Sequence, residues 1–465
     1  MKCLKKALSA ITPVLLLSVS ACSTIEIDKQ DVLSNLTPQE WEQQQKEVVP
    51  VAISWNGFND EKLIELIDLA LTNSPDIYSA VLSIRSAQLV SQQQQSDNGI
   101  NYGVDASAGV GKTRNSDTQE AYAITAKASY EIDFWDKKSD REAIANLNLI
   151  ATQIQLKTVR ISLASAIAET YFNIRLQDKL LEFQRSTLVE LQQQKVMLVA
   201  RQKAGLITSL AINNQDVEIQ SVMARIEDLT GERIVYELIL GNLLGLPPHE
   251  FELEVKPNFI FPQQLVVVDT PSQVLRHRPD IQLAEATLQS SYRNFDLTKK
   301  SLYPNVNLTT SAGYASTSLG DLLKDSSLGW FVGADIIYTL LDSGTRERNI
   351  KQAKINAEQQ LNSYRKAILD ALRDVESSLA AQASGLRQFE IAKLRLKAQQ
   401  RLTYETQEKY KYGSVSAFNV SIQKRLLIAQ QENVMQQELA NVRYSISLLK
   451  ALGVNPLVTT NEYSQ

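Results

Sequence analysis

Apolar and polar positions along this chain alternate with two different periods, and each period predicts a different kind of element. In NYGVDASAGVG (101–111), Tyr102, Val104, Ala106, Ala108 and Val110 fall on one side, with Asn101, Gly103, Asp105, Ser107 and Gly109 on the other. A strict period of two predicts a strand with one apolar and one polar face. The stretch 122–133 repeats it, with Tyr122, Ile124, Ala126, Ala128, Tyr130 and Ile132 opposite Thr125, Lys127, Ser129, Glu131 and Asp133. Two later stretches do the same. In 305–316 the apolar positions are Val306, Leu308, Ala312 and Tyr314, and in 330–340 they are Trp330, Val332, Ala334, Ile336, Tyr338 and Leu340.

The second period is helical. No proline or glycine occurs from Arg141 to Lys203, and a proline-free run extends from Arg346 to Tyr412 with Gly385 inside it. At the rise of an α-helix each predicts a rod of about 95 Å. Two apolar seams follow the first rod, one through Ile144, Leu147, Ala151, Ile154, Ile161, Ala168 and Phe172, the other through Leu149, Leu156, Val159, Leu163 and Ala166. Both advance in steps near three and four, the spacing of coiled coils. Two seams let a helix pack against a neighbour on each side, as in a closed wall, and periodicity alone fits a solid bundle equally well. Gly205 and Gly413 end the rods, where glycine takes the left-handed conformation that turns the chain back.

The pattern occurs twice. NSPDI (73–77) and HRPDI (277–281) set Pro75 and Pro279 204 residues apart, and SAG recurs at 107–109 and 311–313 with the same separation. Gly205 and Gly413, and likewise Gly245 and Gly453, are 208 apart. Matches in this order predict a duplicated unit. The expected division is a leader at 1–21, an N-terminal segment at 22–59, a first repeat at 60–245, a join at 246–273 rich in proline, a second repeat at 274–453 and a tail at 454–465.

Composition changes the picture mainly at the N-terminus. Lys2, Lys5 and Lys6 precede an apolar run from Ala7 to Val19, followed by Ser20 and Ala21, the layout of a secretory signal. The run is shorter than a spanning helix needs and contains Pro13. The segment Val19-Ser20-Ala21-Cys22 resembles a bacterial lipobox, in which the cysteine is lipidated and becomes the first residue. Cys22 is the lipidation candidate, and Ser23 in place of aspartate points to the outer membrane. With Cys3 lost and Cys22 acylated, no thiol is left for a disulfide, a metal or catalysis. The net charge of −4 becomes −7 without the three leader lysines, and no basic stripe favours nucleic acid.

Strands of this length with aromatics near their ends match transmembrane β-barrel segments, although a sheet covered on one side by helices has the same pattern. The number of strands bears on the choice. Four cannot close a membrane barrel, whose smallest size is about eight, and an open edge in lipid leaves unpaired amides at several kcal/mol each. If these strands span a bilayer the chain must oligomerise, and a trimer supplies twelve strands around a wet lumen.

Taken with RPDI (278–281), LYPNV (302–306), YEIDFWD (130–136) against IYTLLDSG (337–344), and the turns KAGLIT and YKYGSVSA, the sequence resembles the TolC-like outer-membrane efflux family, specifically the lipidated branch serving RND-type drug and metal pumps. The resemblance implies an α+β membrane protein, a homotrimer with a β-barrel in the outer-membrane lipid and a long α-helical coiled-coil barrel reaching into the periplasm. There it would meet a periplasmic adaptor and an inner-membrane pump. Gly205 and Gly413 would lie at the periplasmic tip. The family often has an aspartate ring just after the second tip glycine. Here GSVSAFNVSIQ places Asn419, Ser421 and Ile422 in that region, and Asp216 is the nearest acid in the matching first-half segment. The expected entrance is narrowed by Ile422 and polar amides, with weaker cation selectivity than an aspartate ring gives.

An enzyme is not expected. His249 and His277 are the only histidines, neither has metal-binding spacing, and no phosphate loop or serine elbow occurs. No cofactor is implied. The competing readings are a structural coiled-coil lipoprotein without a pore and a conduit for protein secretion.

Overall fold

The structure, a computed structural model, describes residues 36–42, 54–112, 118–248, 250–262 and 270–456. Cys22, the leader and His249 lie outside the described residues. The chain divides into two compact units, one centred on 100–141 and 291–358, the other on 37–99, 142–290 and 359–465.

The larger unit is helical. It contains α1 (Glu61–Asn73), α2 (Pro75–Asp97), most of α3 (Lys137–Lys203), α4 (Ser209–Leu243), α5 (Pro271–His277), α6 (Pro279–Lys300) in part, most of α7 (Thr345–Lys411), and α8 (Ala417–Ala451). The two halves match in length: α3 and α7 each have 67 residues, and α4 and α8 each have 35. Helix α1 starts where Asp60 accepts from the amides of Lys62 and Leu63, and it buries Leu63, Leu66, Ile67 and Ala70 at helical spacing. Helix α2 starts on Ser74 as cap with Pro75 in its first turn.

Four helices end in the same way. Leu206 N–H donates to Arg201 O, Leu246 to Gly241 O, Ser414 to Lys409 O and Val454 to Leu449 O, at 2.9–3.1 Å. Each bond spans a glycine with φ between 71° and 74° (Gly205, Gly245, Gly413, Gly453), which is the Schellman closure. Gly245 and Gly453 have a second reason to be glycine. A Cβ on Gly245 would lie 2.6 Å from the Asn73 carbonyl, and one on Gly453 would lie 2.9 Å from Pro279. The repeated proline and the repeated glycine are thus two sides of one contact, made once in each half.

From Ala164 to Asp178 helix α3 is buried on nearly every side, with only Ala166 and Glu169 retaining exposure. The join between the halves covers it. Leu253, Phe259 and Phe261 are buried there, and Phe259 sits edge-on to Tyr171 and to Phe261. Phe58 packs on Phe172 at 5.5 Å from the other direction. The join has no regular backbone pairing of its own, so side chains satisfy it. Arg175 donates to Glu254 O at 2.6 Å and Arg233 to Leu253 O at 2.7 Å, while Glu237 accepts from Leu253 N–H at 2.6 Å. Asp178, 1% exposed, accepts from Arg175, Arg233 and Lys256 N–H. Residues 250–262 are therefore part of the core and not a loose connector. At the matching level of the second half, Gly385 lies where a Cβ would fall 2.4 Å from the Tyr444 ring and 2.7 Å from Asn441.

The smaller unit holds one antiparallel sheet in the order β1 (Asn101–Gly111), β2 (Gln119–Ile132), β3 (Asn305–Ser316) and β4 (Leu328–Ile337). The strand starting at 122 in the alternation begins three residues earlier. The strand expected to reach 340 stops at Ile337, because its partner there, Asn305, is the first residue of β3. Tyr338 and Leu340 continue the alternation with no strand beside them.

The two quoted motifs YEIDFWD and IYTLLDSG perform the same task, turning a strand into a long helix. Asp133 accepts from the amides of Lys137 and Lys138, and Asp342 accepts from those of Gly344 and Arg346. Asp136, Ser343 and Gly344 take positive φ at these corners. Trp135 stacks on Tyr303 at 4.6 Å and donates to Pro304 O, so LYPNV anchors the first corner.

Candidate functional site

Register gives the sheet its chemical character. Val104 lies opposite Ala126, and Ala126 opposite Ala312, which in turn lies opposite Trp330. One row away Tyr102 faces Ala128, and Leu308 lies between Tyr130 and Ala334. The four apolar alternations therefore fall on one side of the sheet and form an apolar face, interrupted at Thr310 between Ala128 and Val332. It is uncovered: Tyr102 is 82% exposed, Val104 72% and Trp330 79%. The other face carries Asp105, Lys127, Ser129, Glu131, Asn307, Ser311 and Asp335, with Lys127 paired to Asp105 at 2.7 Å. A soluble sheet hides its apolar face under helices, and this one presents it outward. Strands β1 and β4 each have one partner only, so both edges carry open hydrogen-bonding groups. Among the described residues no helix is long and apolar enough to cross a membrane.

The long helices lie side by side. Helix α3 joins α4 through Gln177–Glu232 and Lys195–Asp216, and joins α8 through Lys179–Glu438 and Gln184–Glu432. It also meets α7 where Arg201 donates to the Tyr410 hydroxyl at 3.0 Å. Helices α7 and α8 are linked by Gln399 and Thr403 to Gln423, and α4 and α8 by Glu218–Arg425. The two seams read from the sequence are thus both used: Ile154, Ile161, Ala168 and Phe172 of one and Leu156 and Leu163 of the other are buried.

Gly205 and Gly413 close the α3–α4 and α7–α8 turns, and nothing lies within 4 Å of a Cβ added to either. Asp216 is not a free carboxylate, since Lys195 holds it at 2.5 Å within the same chain. Asn419 is exposed and engaged locally: Ser416 Oγ donates to its side-chain oxygen at 2.8 Å and its own amide donates back to Ser416. Ile422 is half-buried on α8. Asn419 and Ile422 stand three residues apart on α8, and Asp216 lies on α4. Sequence reasoning passed over the neighbouring pair Lys424-Arg425. Burial pushes the Lys424 amine below the usual lysine range, with Glu190 opposing the shift.

Comparison with known proteins now adds to this geometry. The model of the family described as outer membrane efflux protein matches residues 66–246 and 270–454. The chain belongs to the outer membrane efflux protein family. Among its relatives, the probable outer membrane lipoprotein SilC of Salmonella typhimurium is 27% identical over 90% of this chain and 92% of its own. The pyoverdine export outer membrane protein OpmQ of Pseudomonas aeruginosa is 25% identical over 86% of each. A solved structure of CusC, described in terms of transmembrane channel formation, superposes with a TM-score of 0.81 at 25% identity, covering 90% of this chain and 96% of that one. The fold class is that of the outer-membrane efflux channels, with long helices and a four-strand contribution to a β-domain. The efflux protein is an outer-membrane protein, and its family is one of channels and not of enzymes. Among the described residues no group of three or more His, Cys, Asp or Glu side chains is placed to hold a metal.

Proposed function

We propose that this efflux protein is the outer-membrane conduit of a tripartite pump, working as a homotrimer and passing small molecules delivered by a periplasmic adaptor and an RND-type inner-membrane pump. The observation that carries the reading is the uncovered apolar face bounded by two unpaired edges. In lipid the face needs no cover, and edges β4 and β1 of successive copies satisfy one another. Three copies give twelve strands, with Lys127, Asp105, Glu131 and Asp335 on the wet side. A structural lipoprotein without a pore gives this sheet no reason to expose tryptophan and valine on one side and charge on the other.

No residue need perform chemistry, because the pump supplies the energy and the conduit supplies a wet path. Cys22 carries the lipid that tethers each copy. The turns at Gly205 and Gly413 form the docking end, and Asp216, Asn419 and Ile422 border the entrance. With Asp216 neutralised by Lys195, cation selectivity is weak.

Two measurements test this together. Purified assemblies in planar bilayers are expected to conduct with little preference between cations and anions, and cysteines placed beside Gly205 and Gly413 in cells are expected to crosslink adaptor and pump subunits. Assemblies that do not conduct, or tips that capture no inner-membrane pump component, overturn the proposal.

A further inference from the structure

Just behind the two hairpin turns, helices α3, α4, α7 and α8 enclose a cleft of about 560 Å³. Leu191, Leu198, Val222 and Ile428 are among the apolar side chains that line it, and its lining carries five basic side chains against a single acid, Glu218. The pairing of these cations is uneven. Arg425 is bonded to Glu218, Lys411 to Glu408, and Arg201 to the Tyr410 hydroxyl. Arg225 and Lys424 are half-buried; Glu190 acts on Lys424 only from a distance, and among the described residues neither cation has a carboxylate within the 4.0 Å of an ion pair.

A half-buried cation loses hydration and regains the loss only from a counter-charge. Helix packing does not require two such cations in an apolar lining, since an uncharged side chain at either position costs less. The volume and the mainly apolar exposed surface of the lining are those of a small-molecule site. We propose that this cleft binds a single-chain amphiphilic anion, its carboxylate or phosphate head between Arg225 and Lys424 and its hydrocarbon tail on Leu191, Val222 and Ile428. The site lies wholly within one chain, so it does not depend on the channel reading.

The test uses the full-length protein in phosphatidylcholine nanodiscs and a hexadecanoate carrying a diazirine on its tail. Photolabelling followed by peptide mapping is expected to mark α4 and α8, at least tenfold more strongly than the alcohol of equal length. Unlabelled hexadecanoate should compete, whereas millimolar inorganic phosphate should not. Lys424→Gln combined with Arg225→Gln should lower labelling at these helices about tenfold while ion conductance is retained. Equal labelling by the alcohol, labelling indifferent to the double variant, or full displacement by inorganic phosphate each overturn the proposal, the last by revealing a bare anion site. Specific labelling of a protein that does not conduct leaves this inference standing and removes the channel reading, and conduction without labelling does the reverse.

Discussion

Asp178 stands at the point where the first half is tied to the join. It holds Arg175 at 3.1 Å, Arg233 at 2.8 Å and the backbone of Lys256 at 3.1 Å, with Asp178 and Arg175 buried and Arg233 largely so. Forming such a cluster gains little over apolar packing, but breaking it strands buried cations, at a cost of about 3–5 kcal/mol. Asp178→Ala should therefore lower the free energy of unfolding, followed by the helical signal, by that amount. Lys179→Ala, which removes a partly exposed pair with Glu438, should shift it by less than about 1 kcal/mol. Comparable shifts for the two variants would show that the buried cluster has no special weight.

Helices and strands were legible in the sequence because their periods are long and clean; YEIDFWD and IYTLLDSG entered only as a resemblance, although each holds an aspartate one turn ahead of a helix start. What escaped was anything set by a neighbour distant in sequence. Strand β4 stops at Ile337 for want of a partner residue, which no alternation in 330–340 records. Nothing in the helical period marks Arg175, Asp178 and Arg233, since it is the return of residues 250–262 that covers them. Lys424 was passed over for the same reason: its burial depends on how α8 meets the neighbouring helices. The hairpin turns were the easiest elements to read and are the most weakly held. Gly205 and Gly413 have positive φ and open space around them, so Gly413→Ala costs only the left-handed penalty of roughly 1–2 kcal/mol. Hydrogen exchange at 410–416 should rise several-fold while the global unfolding midpoint stays put. A large drop in that midpoint would mean the turn is part of the cooperative core.

On the proposed reading the whole molecule is attached to the membrane twice, by acyl chains at Cys22 and by the shared sheet. The two attachments have separate jobs, the lipid holding a copy in place and the sheet making the pore. A Cys22→Ser variant given a cleavable signal should lose its acyl mass yet still yield conducting assemblies. Failure to assemble would make the lipid part of barrel closure.

The equality of the paired helices, 67 with 67 and 35 with 35, shows two copies of one unit, and their interiors show how the copies have parted. Shifting by the 208 residues that separate the turn glycines sets Asp178 against Leu386, Arg233 against Asn441 and Tyr236 against Tyr444. Where the first copy buries an ion pair to hold the returning join, the second closes on Gly385 against Tyr444. A ring assembled from separate identical units has no such latitude, since any change is written into every position at once. Fusion in tandem lets inheritance act on alternate positions independently, so one copy carries the crossover segment while its twin makes a tighter and simpler helix contact.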